Sequence, residues 1–264
     1  MIMKNLLRAF CIAFSMYSSI PMPQFKWEKE DMKYSICFFP LIGIVVGAIC
    51  YGWCMVAQMF DINLLASTLL FFVIPLVVTG GIHVDGFMDC SDVFSSYREK
   101  EKKLEILKDP HIGAFAVIKL IVLCAVYVSA ISVIIASGRG FEGRYFIVLC
   151  LGFILSRALS AVAVVSFPCA KNEGSLYTFA EGSDKKRCLS ILVKEAAIVA
   201  LIMAVFGRIG GVVAITTALL TFGYYYLKTK KELGGITGDT AGWFVCLCET
   251  VIAVAVCVCS LFAL

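Results

Sequence analysis

Charged residues are scarce in this chain. Of its 264 residues, 16% are charged and 61% are hydrophobic, and the mean hydropathy is +0.92. A soluble domain of this length needs a far more polar surface. We therefore expect one integral membrane domain that covers residues 1–264.

Several nucleotide and metal motifs are also absent from the sequence. It contains no GxxxxGK[ST] loop and no GxGxxG after a predicted strand, so neither P-loop ATP hydrolysis nor Rossmann chemistry is expected. It contains no paired CxxC motifs, which excludes a zinc ribbon. The 13 cysteines lie mostly inside apolar runs. There we expect them to pack as small apolar residues without disulfides.

Long apolar runs predict an all-α fold, a polytopic helical membrane bundle with about seven spans. A span needs about 20 mostly apolar residues. The first 23 residues combine a basic start with an apolar stretch that Arg8 interrupts, so we expect a retained amphipathic or re-entrant helix there. The predicted spans that follow are 34–59, 63–82, 112–136, 145–167, 191–206, 210–227 and 241–263.

Lysine and arginine lie mainly on one side of this predicted bundle. If seven spans alternate, that side carries the N-terminal segment, the loops 83–111 and 168–190, and the segment before the last span. The positive-inside rule places these basic segments in the cytoplasm. We therefore expect a multi-pass protein of the cell membrane whose active-site loops are cytoplasmic.

Three aspartates follow the second predicted span, in the stretch GGIHVDGFMDCSDVF. Asp85, Asp89 and Asp92 are spaced i, i+4 and i+7, so they share one face of a helix. Like charges at that spacing repel, and a hard cation such as Mg²⁺ would relieve the repulsion. The alternative is a solvated acidic helix end. His83 lies two residues before Asp85, so on a helix it would point elsewhere.

Other polar candidates lie at the same predicted side. Lys108 and Asp109 precede the return into the membrane, where they could face the metal or simply end a solvated helix. Glu173 lies in a glycine-containing loop. Gly238 and Asp239 open the last span, where Asp239 is a further ligand, or the segment is a plain helix N-terminus capped by Asp239 or Thr240.

Arg157 lies in the middle of the fourth predicted span. A buried guanidinium is costly in a membrane, so Arg157 is a functional candidate, and the alternative is a structural ion pair. Acids that hold Mg²⁺, bases that hold phosphate and a glycine-rich backbone together indicate phosphoryl or nucleotidyl transfer at a membrane surface.

Several sequence blocks stand in a fixed order along nearly the whole chain: AFSMYSSIPMP, YSICFFPLIGIVVGA, TGGIHVDGFMDCSD, LEILKDPHIGAF, LSRALSAVAVVSFPCAKNEG and GGITGDTAG. Through them the chain resembles the cobalamin-5′-phosphate synthase family, also called adenosylcobinamide-GDP ribazoletransferase. The family usually has Ser-Arg after Asp109, and this chain has Pro110 and His111. The matching positions are His83, Asp85, Gly86, Asp89, Asp92, Asp109, Gly113, Arg157, Gly238 and Asp239, with Lys108 and Glu173 matching less strictly.

The resemblance implies a transferase of cobalamin (vitamin B12) biosynthesis. Its substrates would be adenosylcobinamide-GDP and α-ribazole or α-ribazole 5′-phosphate, and its products adenosylcobalamin or the 5′-phosphate together with GMP. It implies Mg²⁺ on Asp85, Asp89 and Asp92. Asp109 or Asp239 would complete the site or accept a proton, and Lys108 and Arg157 would steady phosphate oxygens. His83, Glu173 and Gly238 would contact substrate. The lipid bilayer is the other expected partner, nucleic acid is not expected, and an oligomer is left open.

Two other functions are compatible with membrane aspartates. A CDP-alcohol phosphotransferase of phospholipid synthesis also clusters aspartates at a membrane face, but its pattern has Ala-Arg where this chain has Asp89 and Cys90. A divalent-cation transporter would suit the aspartates and Arg157. However, most of the charge lies at one side, and the sequence shows no internal repeat.

Overall fold

A computed structural model describes residues 2–137, 143–171 and 174–262, and these residues are mainly helical. A short 3₁₀ helix at Ser35–Phe38 precedes α3. The α-helices are α1 (Ile2–Tyr17), α2 (Lys29–Met32), α3 (Phe39–Met59), α4 (Leu64–Thr79), α5 (Ile82–Ser95), α6 (Lys100–Ile106), α7 (Ala114–Ala136), α8 (Arg144–Ser166), α9 (Ser175–Gly182), α10 (Lys185–Leu233) and α11 (Gly238–Leu261).

The predicted all-α membrane fold is confirmed. Within the described ranges, five helical segments are long and apolar enough to cross a membrane, and the α4–α5 pair makes six if it counts as one span. The N-terminal amphipathic helix is present as α1, which buries Ile12 and Phe14 and leaves Leu7 exposed. The exact number of spans stays a prediction.

The chain bends sharply between α4 and α5. The two helices meet at 94°, because Gly80 and Gly81 adopt left-handed backbone conformations with φ of 65° and 79°. Such a conformation ends a helix, and glycine adopts it without steric penalty. The predicted span over 63–82 is therefore shorter than expected, since α4 ends at Thr79 after 16 residues. Helix α5, which carries the three aspartates, instead turns and packs against α7 and α11.

Helix α10 is interrupted at Arg208. This residue has φ 51° and ψ −130°, which is not helical. Just beyond it, the backbone of Gly211 lies against the carbonyl oxygen of Met203, although eight residues of continuous helix would span about 12 Å. The chain therefore folds back, and its halves, 185–207 and 209–233, contain the two spans predicted on either side of GRIGG.

Helix α8 lies at the centre of the bundle. It packs against α3, α10 and α11, and most of its residues are buried. A Cβ atom on Gly47 of α3 would lie 2.8 Å from the carbonyl oxygen of Cys150 on α8, so the two backbones touch. Small residues allow such close helix approach in membranes. This rigid centre supports the crossing of α5 and α11.

Candidate active site

Helices α5 and α11 cross in direct backbone contact at two glycines. A Cβ atom on Gly86 would lie 2.6 Å from the carbonyl oxygen of Asp239, and a Cβ atom on Gly242 would lie 3.1 Å from Cα of His83. No real Cβ atom tolerates the first distance. The glycines therefore let the aspartates of α5 stand beside the first turn of α11.

The N-terminus of α11 is capped by Thr237. Its Oγ1 accepts a hydrogen bond from the N–H of Thr240 (3.2 Å), and its own N–H donates to Oγ1 of Thr240 (2.8 Å). This reciprocal arrangement is a capping box. The cap is thus Thr237 and not Asp239 or Thr240. Oδ2 of Asp239 accepts a hydrogen bond from Oγ1 of Thr237 (3.4 Å), and its carboxylate lies at the helix N-terminus, where the helix dipole favours negative charge.

The carboxylates of α5 and α11 form a repelling cluster. Asp89, which is half-buried, interacts unfavourably with the charges of Asp85, Asp92 and Asp239. Asp239 in turn interacts with Asp85 and, favourably, with Lys171. No group of three or more His, Cys, Asp or Glu side chains is arranged as a metal site in the described part of the chain. The donor set is nonetheless all oxygen, as a hard cation requires.

Asp92 makes contacts that differ from those of the other aspartates. Its Oδ2 accepts from the N–H of Gly113 (2.7 Å) and its Oδ1 accepts from the N–H of Ala116 (2.9 Å). Both oxygens thus cap the N-terminus of α7. These contacts do not support the predicted metal role, and no local sequence signal links Asp92 to Gly113, the N-cap of α7, which lies 21 residues later.

A cavity of about 440 Å³ lies beside the cluster. Hydrogen bonds between the loop before α9 and the loop before α11 form its wall: the N–H of Ala170 donates to the carbonyl of Ile236, and the N–H of Ile236 to the carbonyl of Pro168, both 2.9 Å. We call it the basic cavity because two lysines line it. Its lining residues are Leu107, Lys108, Cys169, Lys171, Gly174, Leu176, Tyr177, Ile236, Thr237, Gly238 and Asp239. The structure therefore brings predicted residues Lys108, Gly238 and Asp239 together.

A second, smaller cavity of about 150 Å³ meets the first at Leu176, Gly238 and Asp239. We call it the aromatic cavity. Its remaining lining residues are Met16, Tyr17, Ile36, Phe39, Ile82, His83, Asp85, Ser160, Val164, Phe179, Ala241 and Gly242. The sequence reasoning missed this cavity, although Tyr17 and Phe39 lie in two of the blocks that carry the family resemblance.

Arg157 is held away from both cavities. Its Nη1 donates to Oε1 of Glu249 (2.6 Å) and to the carbonyl oxygen of Phe153 (2.9 Å), and the residue is only 1% exposed. Ser156 Oγ donates to the same carboxylate oxygen (3.0 Å). The structural ion pair was the alternative reading of the sequence, and these contacts favour it over a phosphate contact.

The remaining predicted residues are separated. Asp109 lines neither cavity. It is exposed and bonds to the backbone N–H of His111 (3.0 Å) and to its Nδ1 (2.6 Å), and these bonds hold the pKa of Asp109 below its usual range. Glu173 lies outside the described residues. His83 is buried against Phe39, with ring centroids 5.6 Å apart. The sequence predicted that His83 and Asp85 would point in different directions, but both line the aromatic cavity.

Comparisons with known proteins find related sequences over nearly the whole chain. The family model described as cobalamin-5-phosphate synthase matches residues 9–257. An adenosylcobinamide-GDP ribazoletransferase of Lachnoclostridium phytofermentans is 39% identical over 250 residues, covering 95% of this chain and 93% of that protein. One of Clostridium perfringens is 34% identical over 247 residues, covering 94% and 96%, and one of Halalkalibacterium halodurans is 28% identical over 249 residues, covering 91% of each.

No solved structure matches the chain. The comparisons do not favour a CDP-alcohol phosphotransferase or a divalent-cation transporter. The family match covers nearly the whole chain, and it includes the crossing of α5 and α11 and both cavities. The chain therefore belongs to the cobalamin-5-phosphate synthase family.

Proposed function

We propose that this protein transfers the adenosylcobinamide phosphoryl group from adenosylcobinamide-GDP to α-ribazole or α-ribazole 5′-phosphate and releases GMP. Family membership and the printed names of the relatives support this reaction. The observation that carries it is the meeting of a carboxylate cluster with a lysine-lined cavity at Gly238 and Asp239. Phosphoryl transfer depends on such positioning and charge stabilisation.

The bonds exchanged in the reaction are well defined. A hydroxyl oxygen of the acceptor bonds to the corrinoid-side phosphorus, and the bond from that phosphorus to the bridging oxygen of the diphosphate breaks. GMP leaves with the electron pair of that bond. Asp239 lines both cavities, so we assign it to receive the hydroxyl proton.

The basic cavity is suited to the diphosphate. Lys108 and Lys171 line it, and a lysine binds phosphate as a point charge. The first turn of α11 lies at the same wall through Gly238, and backbone N–H groups at a helix N-terminus attract anions. Together these groups would orient the phosphates and compensate their charge.

Magnesium is part of the proposal. Asp85 and Asp89 would hold Mg²⁺, because their oxygens are hard ligands and their mutual repulsion favours a bound cation. Asp92 is left out of this set, since both its oxygens cap α7. When bound, Mg²⁺ would neutralise phosphate charge and stabilise the leaving GMP.

We also propose that the reaction takes place at the cytoplasmic side of the cell membrane. Lys108 and Lys171 belong to basic segments that the positive-inside rule assigns to the cytoplasm. Both nucleotide substrate and GMP would then enter and leave through the basic cavity without crossing the bilayer.

The test is GMP release by the purified protein in lipid vesicles. With adenosylcobinamide-GDP and Mg²⁺ present, and either α-ribazole or α-ribazole 5′-phosphate as the acceptor, we expect GMP from at least one acceptor. Omission of the corrinoid, the acceptor or Mg²⁺ should abolish it. An Asp239→Asn variant should lose the activity. Asp61→Asn serves as the matched control, because Asp61 is exposed in the α3–α4 loop with φ 47°, a conformation that asparagine tolerates.

Three outcomes would contradict the proposal. GMP formed without the acceptor would indicate hydrolysis. CMP formed from a CDP-activated lipid, without GMP from the corrinoid, would indicate the phospholipid reaction. Absence of both products, with Asp61→Asn and wild type equally folded, would exclude both transferases.

A further inference from the structure

Apart from Asp85, Gly238 and Asp239, the lining of the aromatic cavity has no role in the phosphate chemistry described so far. Neither Lys108 nor Lys171 lines this cavity. Its volume is about 150 Å³, and an apolar cavity of about that size binds a small aromatic ring. The size therefore indicates one compact planar group rather than a corrin ring.

The walls of this cavity are suited to stacking. Tyr17 and Phe39 pack with ring centroids 4.6 Å apart, and Phe39 also packs on His83. Phe179 lines the cavity from α9. Offset and edge-on contacts with such rings stabilise a planar aromatic ligand beyond simple burial.

A few polar groups lie among these apolar walls. His83, Asp85 and Ser160 line the cavity, and Nε2 of His83 is buried without a hydrogen-bond partner among the described residues. Buried polar atoms are nearly always hydrogen-bonded. An apolar pocket with a small number of polar groups is typical of a ligand site that fixes orientation.

We propose that the aromatic cavity binds the planar base of the acceptor nucleoside, and this assignment rests on the proposed function. α-Ribazole carries a benzimidazole-type base. With that base in the aromatic cavity, its sugar points to Asp239, where the two cavities meet. The acceptor hydroxyl and the diphosphate then approach from opposite cavities, which holds the reacting atoms together.

The guanine of the GDP moiety is the competing occupant. Guanine carries hydrogen-bonding groups around most of its edge, and leaving them unpaired against apolar walls is unfavourable. A benzimidazole edge is mostly hydrocarbon. The side chains of Ile36, Val164 and Phe179 therefore favour the acceptor base.

The test compares two cavity-filling variants of the full-length protein in lipid. Ala241 lines only the aromatic cavity and Cys169 lines only the basic cavity. Calorimetric titrations with α-ribazole and with GDP give the affinity of each site. We expect Ala241→Leu to weaken α-ribazole binding by about tenfold or more and to leave GDP binding within about twofold. Cys169→Leu should weaken GDP binding by about tenfold or more and leave α-ribazole binding within about twofold.

A cavity-enlarging variant keeps the test decisive if Ala241→Leu does not fold. Val164→Ala removes two methyl groups from the wall of the aromatic cavity. In competition between acceptors with benzimidazole and bulkier naphthimidazole bases, we expect the turnover ratio to shift about tenfold towards the bulkier one. An unchanged ratio, or a loss of GDP affinity in Ala241→Leu, would overturn the assignment.

The outcomes separate this inference from the proposed function. If wild-type protein releases no GMP with both substrates, the proposed function fails. If wild type releases GMP while Ala241→Leu and Val164→Ala keep wild-type acceptor affinity and base preference, the reaction stands and only the base site is wrong.

Discussion

Two groups of charged side chains differ in how their charges are balanced. Arg157 and Glu249 form a close ion pair, with side chains 1% and 13% exposed, and Ser156 completes the bonding of the carboxylate. At the crossing of α5 and α11, Asp89 is repelled by Asp85 and Asp239, and Asp239 also interacts favourably with Lys171.

This difference separates the ion pair, which belongs to the scaffold, from the carboxylate cluster of the candidate site. The Arg157–Glu249 pair joins α8 to α11, and its two charges compensate each other within the fold, although Nε of Arg157 is buried without a hydrogen-bond partner among the described residues. Repelling carboxylates destabilise a fold unless something positive is bound, and unbalanced charges of this kind concentrate at functional sites. Charge balance therefore distinguishes the two groups.

The largest effect is expected from breaking the ion pair. Glu249→Gln leaves the charge of Arg157 buried without its partner, which should lower the free energy of unfolding by about 3–5 kcal/mol. Denaturant titration in detergent measures it. The double variant Arg157→Met with Glu249→Leu removes both charges and should regain most of the loss. A single variant as stable as wild type would show that the pair is not part of the scaffold.

Removing one of the repelling carboxylates should instead lower activity without lowering stability. For Asp89→Asn we expect GMP release to fall by on the order of 10²–10³-fold, with thermal stability unchanged or raised because one like charge is gone. Turnover and thermal unfolding are measured on the same preparation, with Asp61→Asn as the control. Near-normal turnover would contradict the assignment of Asp89 to the site. A loss of stability that parallels the loss of activity would indicate that Asp89 is part of the scaffold.

The helix contact beneath the cluster gives a third test. Gly86→Ala places a Cβ atom 2.6 Å from the carbonyl oxygen of Asp239, so α5 and α11 must separate slightly. Since small displacements of reacting groups slow catalysis strongly, we expect a loss of about 10- to 100-fold in turnover. Gly52→Ala on α3 is the matched control, because no atom lies within 4 Å of its added Cβ. Equal effects of the two substitutions would mean that the crossing does not set the site.

Asp92 gives the smallest and most discriminating test. Asp92→Ala removes the cap of α7 and should cost about 0.5–2 kcal/mol of stability. Asp92→Asn keeps one accepting oxygen, so its loss should be smaller. If Asp92 is not a ligand, the Mg²⁺ concentration that half-saturates turnover should stay close to the wild-type value in Asp92→Asn. A rise as large as that in Asp89→Asn would restore the metal role expected from the sequence.

Local sequence patterns predicted much of the fold and part of the candidate site. Apolar runs predicted the helices, and the spacing of Asp85 and Asp89 predicted their shared face, because both depend only on helical periodicity. The basic residue Lys108 and the pair Gly238–Asp239 were also identified, and they do line one cavity.

The remainder depends on contacts between distant residues. The partner of Arg157 is Glu249, on a different helix, and the role of Asp92 depends on where α7 begins. Neither follows from neighbouring residues. The direction of α5 was also missed, because a pair of glycines indicates a break in a helix but not the angle that follows it.

The contact between Gly86 and Asp239 also has a consequence for biogenesis. The two halves of the carboxylate cluster lie far apart in the chain, and α11 is synthesised after α5. Until α11 has been inserted, α5 lacks both its neighbour and the carboxylate of Asp239. A chain that terminates before α11 therefore cannot assemble the cluster, and we expect it to be inactive.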